Sequence, residues 1–188
     1  YLRSAVNDSI GGNNDGIVNP GEAIVLPTWV KNWGNAQAQN VRGWLRTTDP
    51  WATVTDSAKT FGNVGAGDSA FTGASGFGFT VAPACTNRHA LRFTLVVKDS
   101  RDTTWTAPVT LVVGAPELTY SAYQPDDPPP GGNGNGMVDP GEDCDIVVTL
   151  RNVGLGNAHG VTAILRSGDA RLTVLDSTGG FGSIPRDT

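Results

Sequence analysis

Charge is in short supply in this sequence: only 16% of its 188 residues are charged. The 13 Lys and Arg are outnumbered by 18 Asp and Glu, for a net charge of −5. No basic stripe exists to follow a phosphate backbone, which argues against a nucleic-acid partner. No apolar run reaches the roughly 18 residues that a membrane-spanning helix needs. No signal peptide is visible, and the chain opens abruptly at "YLRSAV", so it reads as a fragment whose targeting signals lie elsewhere or were removed. There are two cysteines, Cys85 and Cys144, and two histidines, His89 and His159. That supply is too thin and too scattered for a zinc site. The cysteines fall in different halves of the chain, so a bridge between domains and a pair of buried thiols both remain open. No stretch shows a helical period with caps.

What the chain has instead is 25 Gly and 12 Pro among abundant Thr, Val, Asn and Asp, the composition of short strands joined by turns. It also has a repeat. "GGNNDGIVNPGE" starts at Gly11 and "GGNGNGMVDPGE" at Gly131, 120 residues later. Sliding the sequence by that interval pairs 13–68 with 133–188 without a gap, and 19 of the 56 positions are identical, enough to establish a tandem duplication. Matches include Pro20-Gly21-Glu22 with Pro140-Gly141-Glu142, Asn32 and Gly34 with Asn152 and Gly154, and Phe61-Gly62 with Phe181-Gly182. Repeat one spans 1–115 and repeat two 116–188. The first continues through "FTGASGFGFTVAP", "HALRFTLVVKD" and "TWTAPVTLVV", for which the second has no counterpart, so about three strands of the second domain are expected to be absent from this chain.

Period-two alternation places Ile24, Leu26, Thr28 and Val30 on one face of a strand over 23–31. Cys144, Ile146, Val148 and Leu150 hold the matching places over 143–151. Further strands are expected near 2–6, 40–46, 52–56, 70–81, 89–98 and 103–113. Their spacing and the turns between them point to an all-β fold, tandem immunoglobulin-like antiparallel β-sandwiches with the second incomplete. "GAPE" (114–117) is a short hinge, and "QPDDPPPGG" (124–132) an extended, proline-stiffened lead into the second loop.

The repeated loop fits a calcium loop with Gly16 or Gly136 at its sixth position. Asn13 or Asn133 then stands at position 3, Asp15 or Asn135 at 5, Ile17 or Met137 at 7 through its carbonyl, Asn19 or Asp139 at 9, and Glu22 or Glu142 at 12. Position 1 is Gly11 or Gly131 and supplies no ligand; Asp8 and Asp127 are the nearest upstream carboxylates to fill it, and water is the other candidate. The "PG" that follows would turn the chain into a strand, so flanking helices are not expected. A glycine-rich turn using Asn and Asp for positive φ would explain much of the same pattern, though less well the recurring Glu. With few carboxylates per loop, calcium affinity should be weak, Kd about 10⁻⁴ to 10⁻³ M, which implies an extracellular setting.

Catalytic signals are few. Cys85 and His89 are four apart, a spacing that does not align side chains on a strand. "GDSA" (67–70) has no identifiable triad partners and is explained by a turn. His159 lies in "GNAHG", read as an exposed turn. An enzyme is therefore not expected. All five tryptophans, Trp29, Trp33, Trp44, Trp51 and Trp105, lie in repeat one. Trp29 faces away from Ile24 and Leu26, and with Trp51 is a candidate contact surface for sugar or protein. Trp105 is expected to pack near the rim.

The run from "DGIVNPGEAIVLPTWVKNWGN" through "FGNVGAGDSA" to "FTVAPACTNRHALRFTLVVKD" resembles the immunoglobulin-like, CARDB-like β-sandwich repeats of secreted bacterial peptidases (gingipain-like and subtilisin-like) and large surface proteins. Its most telling element is the N-x-D-G-x-x-x-P-G-E loop entering a strand that ends V-x-N-x-G. The resemblance implies a non-catalytic, extracellular, often calcium-stabilised spacer or adhesion module, with the loop residues named above as ion ligands; Asn135 departs from the acid expected at its place. The partners implied are other domains of a parent protein or neighbouring copies. One alternative is a subunit of a self-assembling extracellular filament, completed by strands or faces of its neighbours. Another is a carbohydrate-binding module using Trp29 or Trp51.

Overall fold

The computed structural model describes residues 1–187. Among them every regular element is a strand, and the chain divides into two compact units, Tyr1–Ala115 and Pro116–Thr188.

In the first unit the strands are β1 (Arg3–Ser4), β2 (Asn7–Gly11), β3 (Ala23–Leu26), β4 (Thr28–Lys31), β5 (Ala38–Thr47), β6 (Ala52–Asp56), β7 (Ala58–Val64), β8 (Ser69–Phe71), β9 (Phe77–Val81), β10 (Ala90–Lys98) and β11 (Thr104–Val112). They form three antiparallel sheets, ordered β1-β4-β8, β2-β3-β9-β6 and β11-β10-β5-β7. The strand expected over 23–31 is interrupted at Pro27, which has no N–H to donate to a ladder, and its two halves join different sheets. The single strand expected over 70–81 is likewise two, β8 and β9, separated at Thr72–Gly76. Gly73 there has φ +78°, and a Cβ on Gly76 would lie 2.2 Å from the Leu26 carbonyl group, so the linker turns tightly against β3.

The alternation read from the sequence holds in space. Ile24, Leu26, Thr28 and Val30 are buried, while Val25, Trp29 and Lys31 on the other face are half-buried; Pro27, which alternation also puts on that other face, is buried. The core draws on both four-stranded sheets: Ile24, Leu26, Phe77, Phe79 and Val81 from one, Val41, Leu45, Leu91, Phe93 and Leu95 from the other. The Phe79 and Phe93 rings meet at 4.8 Å. Gly43 makes room for Phe61, because a Cβ there would lie 2.7 Å from its ring.

The second unit has β12 (Leu118–Asp126), β13 (Asp145–Asn152), β14 (Ala158–Ile164) and β15 (Thr178–Ile184), paired antiparallel as β12-β13 and β14-β15. β12 begins just after the hinge read at 114–117 and runs to Asp126, inside the segment read as an extended lead; sequence reasoning expected no strand over these residues. His159 belongs to β14 rather than to a turn, and its Nδ1 is 3.2 Å from the Ser183 hydroxyl on β15.

One polar device recurs, fully buried in the second unit and half-buried in the first. Asn152 is fully buried, donates from Nδ2 to the carbonyls of Gly156 and Ile184, and accepts the N–H groups of Gly154 and Glu117 on Oδ1. Asn32 does the same work in the first unit, donating to Ala36 and Val64 and accepting from Gly34. The repeated N-x-G motif is thus a peg that fastens the end of β4 or β13 to a turn and to a strand in another sheet.

Candidate metal centre

The two repeated loops are folded alike. Asn14 and Gly134, Gly16 and Gly136, and Gly21 and Gly141 all have φ between 60° and 88°, a region that Gly enters freely and Asn tolerates.

In the first loop, between β2 and β3, Glu22 is buried. Its Oε1 accepts the N–H of Asn13 and its Oε2 that of Asn19, each at 3.0 Å. Asp8, 2% exposed, approaches from β2: its Oδ2 accepts the N–H of Asp15 at 3.0 Å, and its two oxygens lie 3.3 and 3.4 Å from the Gly16 nitrogen. Gly12 sits between these carboxylates. A Cβ there would lie 2.7 Å from Glu22 Oε1 and 2.8 Å from Asp8 Cβ, which accounts for the glycine. Within the loop, Asn13 Oδ1 accepts the N–H of Asp15 at 2.9 Å and Asp15 Oδ1 that of Ile17 at 2.8 Å. The Asn13 Nδ2 stands 3.2 Å from both Asp15 Oδ2 and Asn19 Oδ1. The loop is anchored behind β11 by Asn19 Nδ2, which donates to the Gly114 carbonyl at 2.6 Å, and by Val18, which is buried and bridges Val113.

The second loop repeats the plan with one change of spacing. Asp8 lies seven residues before Asp15, whereas Asp127 lies eight before Asn135, so the ungapped alignment of the repeats breaks just upstream of the loop. Asp127 is 3% exposed and accepts the N–H groups of Gly134 at 3.0 Å, Asn135 at 3.1 Å and Gly136 at 2.9 Å. Burial pushes its carboxyl upward, but the amides of Gly136, Asn135 and Gly134 outweigh that and hold it below the usual carboxylate range. Asn133 Nδ2 and Asn135 Nδ2 both donate to Asp139 Oδ2, at 3.0 and 2.9 Å. Asn135 Oδ1 accepts the Met137 N–H at 2.7 Å. The closing contact is looser: among the described residues Glu142 Oε2 accepts the Asp139 N–H alone, at 3.3 Å.

The side chains at positions 3, 5 and 9 therefore meet in both copies, the position-12 glutamate reaches back onto the loop, and the upstream aspartate lies against positions 5 and 6. Glu22 has a role that spacing did not suggest, as a strap across backbone amides. Among the described residues no group of three or more His, Cys, Asp or Glu side chains is gathered as around a metal ion. The oxygen set of either loop consequently depends on Asn side chains and main-chain carbonyls as well as carboxylates.

Outside the loops, His89 pairs with Asp49 rather than with Cys85. Its Nε2 is 3.0 and 3.2 Å from the Asp49 oxygens, and its ring meets Trp51 edge-on at 6.4 Å. Burial raises the Asp49 carboxyl, but the His89 hydrogen bond, the Trp51 amide and the His89 charge together bring it below its ordinary value. Asp49 recurs as Asp169, the one sequence signal that marked it. Cys85 is buried and free; burial and then the Asp49 charge push its thiol up, the opposite of activation. Cys144 is free and half-buried.

The tryptophans divide. Trp29 is held in a row across its sheet: Phe71 from β8 stacks at 4.0 Å and 12°, and the Arg3 guanidinium from β1 lies 3.9 Å over the ring. With β4 between those strands, both faces of the indole are covered. Trp51 is half-buried against the core. Trp33 is 75% exposed with the Lys31 ammonium 4.2 Å from its ring centre, and Trp105 is 47% exposed on β11, an edge strand of its sheet.

No protein-family model matches the chain, and no curated protein matches it either.

Proposed function

We propose that this chain is a non-catalytic, extracellular spacer or adhesion module, built as tandem immunoglobulin-like β-sandwiches whose repeated loops bind calcium as a structural ion. The observation that carries the ion is the polarity at the loop centres. In the first loop the Asn13 amide nitrogen is set between Asp15 Oδ2 and Asn19 Oδ1, and in the second two amide nitrogens converge on Asp139 Oδ2. Only oxygen-bearing side chains surround these points, and amide hydrogens balance the negative charge. A hard divalent cation satisfies such a cluster more strongly, and calcium accepts the mixed carboxylate, amide and carbonyl set that is available.

Asn13, Asp15, Asn19 and Glu22 would hold the ion in the first loop with the Ile17 carbonyl. Asn133, Asn135, Asp139 and Glu142 would hold it in the second with the Met137 carbonyl. Asp8 and Asp127 would complete each set directly or by orienting the amides of positions 5 and 6. A weak site of this kind fills where free calcium is millimolar, which supports an extracellular setting; the proposed partners are other domains of a larger parent or neighbouring copies. The inert Cys85 and the absorption of His89 by Asp49 support a non-catalytic role. The covered faces of Trp29 speak against its use as a sugar platform.

Calorimetry decides the calcium claim. With Kd near ~1 mM, about 10 mM calcium stabilises each site by about 1.4 kcal/mol, or roughly 5 °C in Tm for a unit of this size. Equal melting in EDTA and in calcium would overturn it.

A further inference from the structure

The sheet β11-β10-β5-β7 of unit one turns one side to the core and the other to solvent. Val41 and Leu45 of β5 and Leu91, Phe93 and Leu95 of β10 belong to the core, so alternation puts the residues between them on the outer side. The four strands hold five of the chain's 13 Lys and Arg and none of its 18 Asp and Glu. One of the five, Lys59, stands opposite Gly43 in the inner register and pairs with Asp56. The other four, Arg42, Arg46, Arg92 and Lys98, share the outer side, and among the described residues none of them makes an ion pair. Acids near the strand ends are engaged elsewhere, Asp49 with His89 and Asp99 with Arg101. Asp102 lies in the turn between β10 and β11, off the sheet. The linear sequence does not show this grouping, because β5 and β10 are far apart in the chain.

Register sets Lys98 directly opposite Arg42, and Arg46 opposite Thr94, one outer-side place from Arg92. Like charges facing each other weaken a sheet, and no carboxylate in these strands offsets them. Between the two rows Trp44 stands opposite Val96 and is half-buried. Two arginines thus flank an indole on one strand, about 14 Å apart along it. A face that is unfavourable alone and uniformly positive fits an anionic partner. The centre of a protein interface is apolar and cleared of charge, whereas here cations stand on both sides of the single large ring. Four cations are also fewer than the roughly six to ten phosphate contacts of duplex binders. A sugar chain bearing carboxylates uses what is present. Guanidinium forks match carboxylates, an indole covers a sugar ring, and the exposed Thr94, Thr106 and Thr110 offer hydroxyls.

We propose that the outer side of this sheet binds an acidic polysaccharide, with Arg42, Arg46, Arg92 and Lys98 meeting its carboxylates and Trp44 covering a sugar ring between them. This goes beyond the spacer role and does not depend on calcium.

The test titrates the 188-residue chain with polygalacturonate in EDTA, so that no calcium bridges the polymer. Binding should saturate and weaken as salt rises, and uncharged dextran should not bind. Arg42→Gln with Arg46→Gln should weaken binding at least about tenfold. Trp44→Ala should weaken it severalfold, and Trp44→Phe should lose less. Lys31→Gln, on another sheet, should bind as the wild type does. Arg42→Gln removes the like-charge opposition, so its Tm should equal or exceed that of the wild type, and its loss of binding is then not a loss of fold. No binding at millimolar uronate, or undiminished binding by the double variant, overturns the proposal. So does binding of polyglutamate or duplex DNA as tight as that of polygalacturonate, since an acidic protein or a nucleic acid would then be the occupant.

Discussion

Glu22 accepts the backbone N–H of Asn13 at 3.0 Å and, through its other oxygen, that of Asn19, so the last residue of the loop is tied to its start and middle by protein atoms alone. A calcium ligand and a loop strap make separable demands on this carboxylate. Glu22→Ala leaves two amides unpaired and should cost about 1–3 kcal/mol in EDTA. Glu22→Gln keeps an acceptor and should lose less in EDTA while losing most of the calcium-induced rise in Tm. Glu142→Ala, which removes one contact at 3.3 Å, should cost less than Glu22→Ala. Denaturation with and without calcium measures all three.

Asp127 should make the second loop acid-sensitive. Its folded-state carboxyl lies below its ordinary value because the three amides outweigh burial. A depressed carboxyl contributes its full stabilisation above the unfolded value of about 3.9 and loses it as pH falls through the folded value. Exchange of the Gly134, Asn135 and Gly136 amides should therefore accelerate in the acid range beyond the intrinsic pH trend. Asp127→Asn, which cannot titrate, should show faster exchange at neutral pH and no such acid step.

Asn152 makes four hydrogen bonds with no exposure, so Asn152→Ala should destabilise unit two by about 1–3 kcal/mol. Asn152→Asp should do at least as much damage, because it places a charge where two carbonyls were the partners. Urea denaturation followed by amide exchange in β13 and β15 assigns the loss to this unit.

Trp29 should be shielded and Trp33 open. Acrylamide should quench the wild-type chain through Trp33 and, to a smaller extent, Trp105, and Trp33→Phe should remove the larger share of the accessible emission. Arg3→Ala should uncover one face of Trp29 and cost about 0.5–1 kcal/mol, the size of an exposed cation–π contact. Oligosaccharide titration should leave Trp29 emission unchanged.

Much of the fold was legible because strand alternation is a local property. Ile24, Leu26, Thr28 and Val30 declare their face by period two, and the duplicated loop supplies the 120-residue ruler. The loop residues were legible for the same reason, since positive φ and side-chain turns select Gly and Asn within a few residues. β12 was not read: Leu118, Tyr120 and Ala122 alternate with Thr119 and Ser121, but the pattern breaks from Tyr123 to Asp126, and pairing with β13 carries the strand through that stretch. Nor was the break of 70–81 into β8 and β9, which depends on how closely Gly76 approaches Leu26.

By itself the sequence determined an all-β chain, a tandem duplication and two loops with matching backbone demands, because each rests on interactions spanning a few residues or on identity at a fixed interval. The tertiary structure decided what brings distant residues together. It set Asp8 and Asp127 against the amides of their loops, turned Glu22 into a strap, gave His89 to Asp49, and closed both faces of Trp29 between Arg3 and Phe71. Those outcomes depend on strand register and sheet order, which local propensity does not encode.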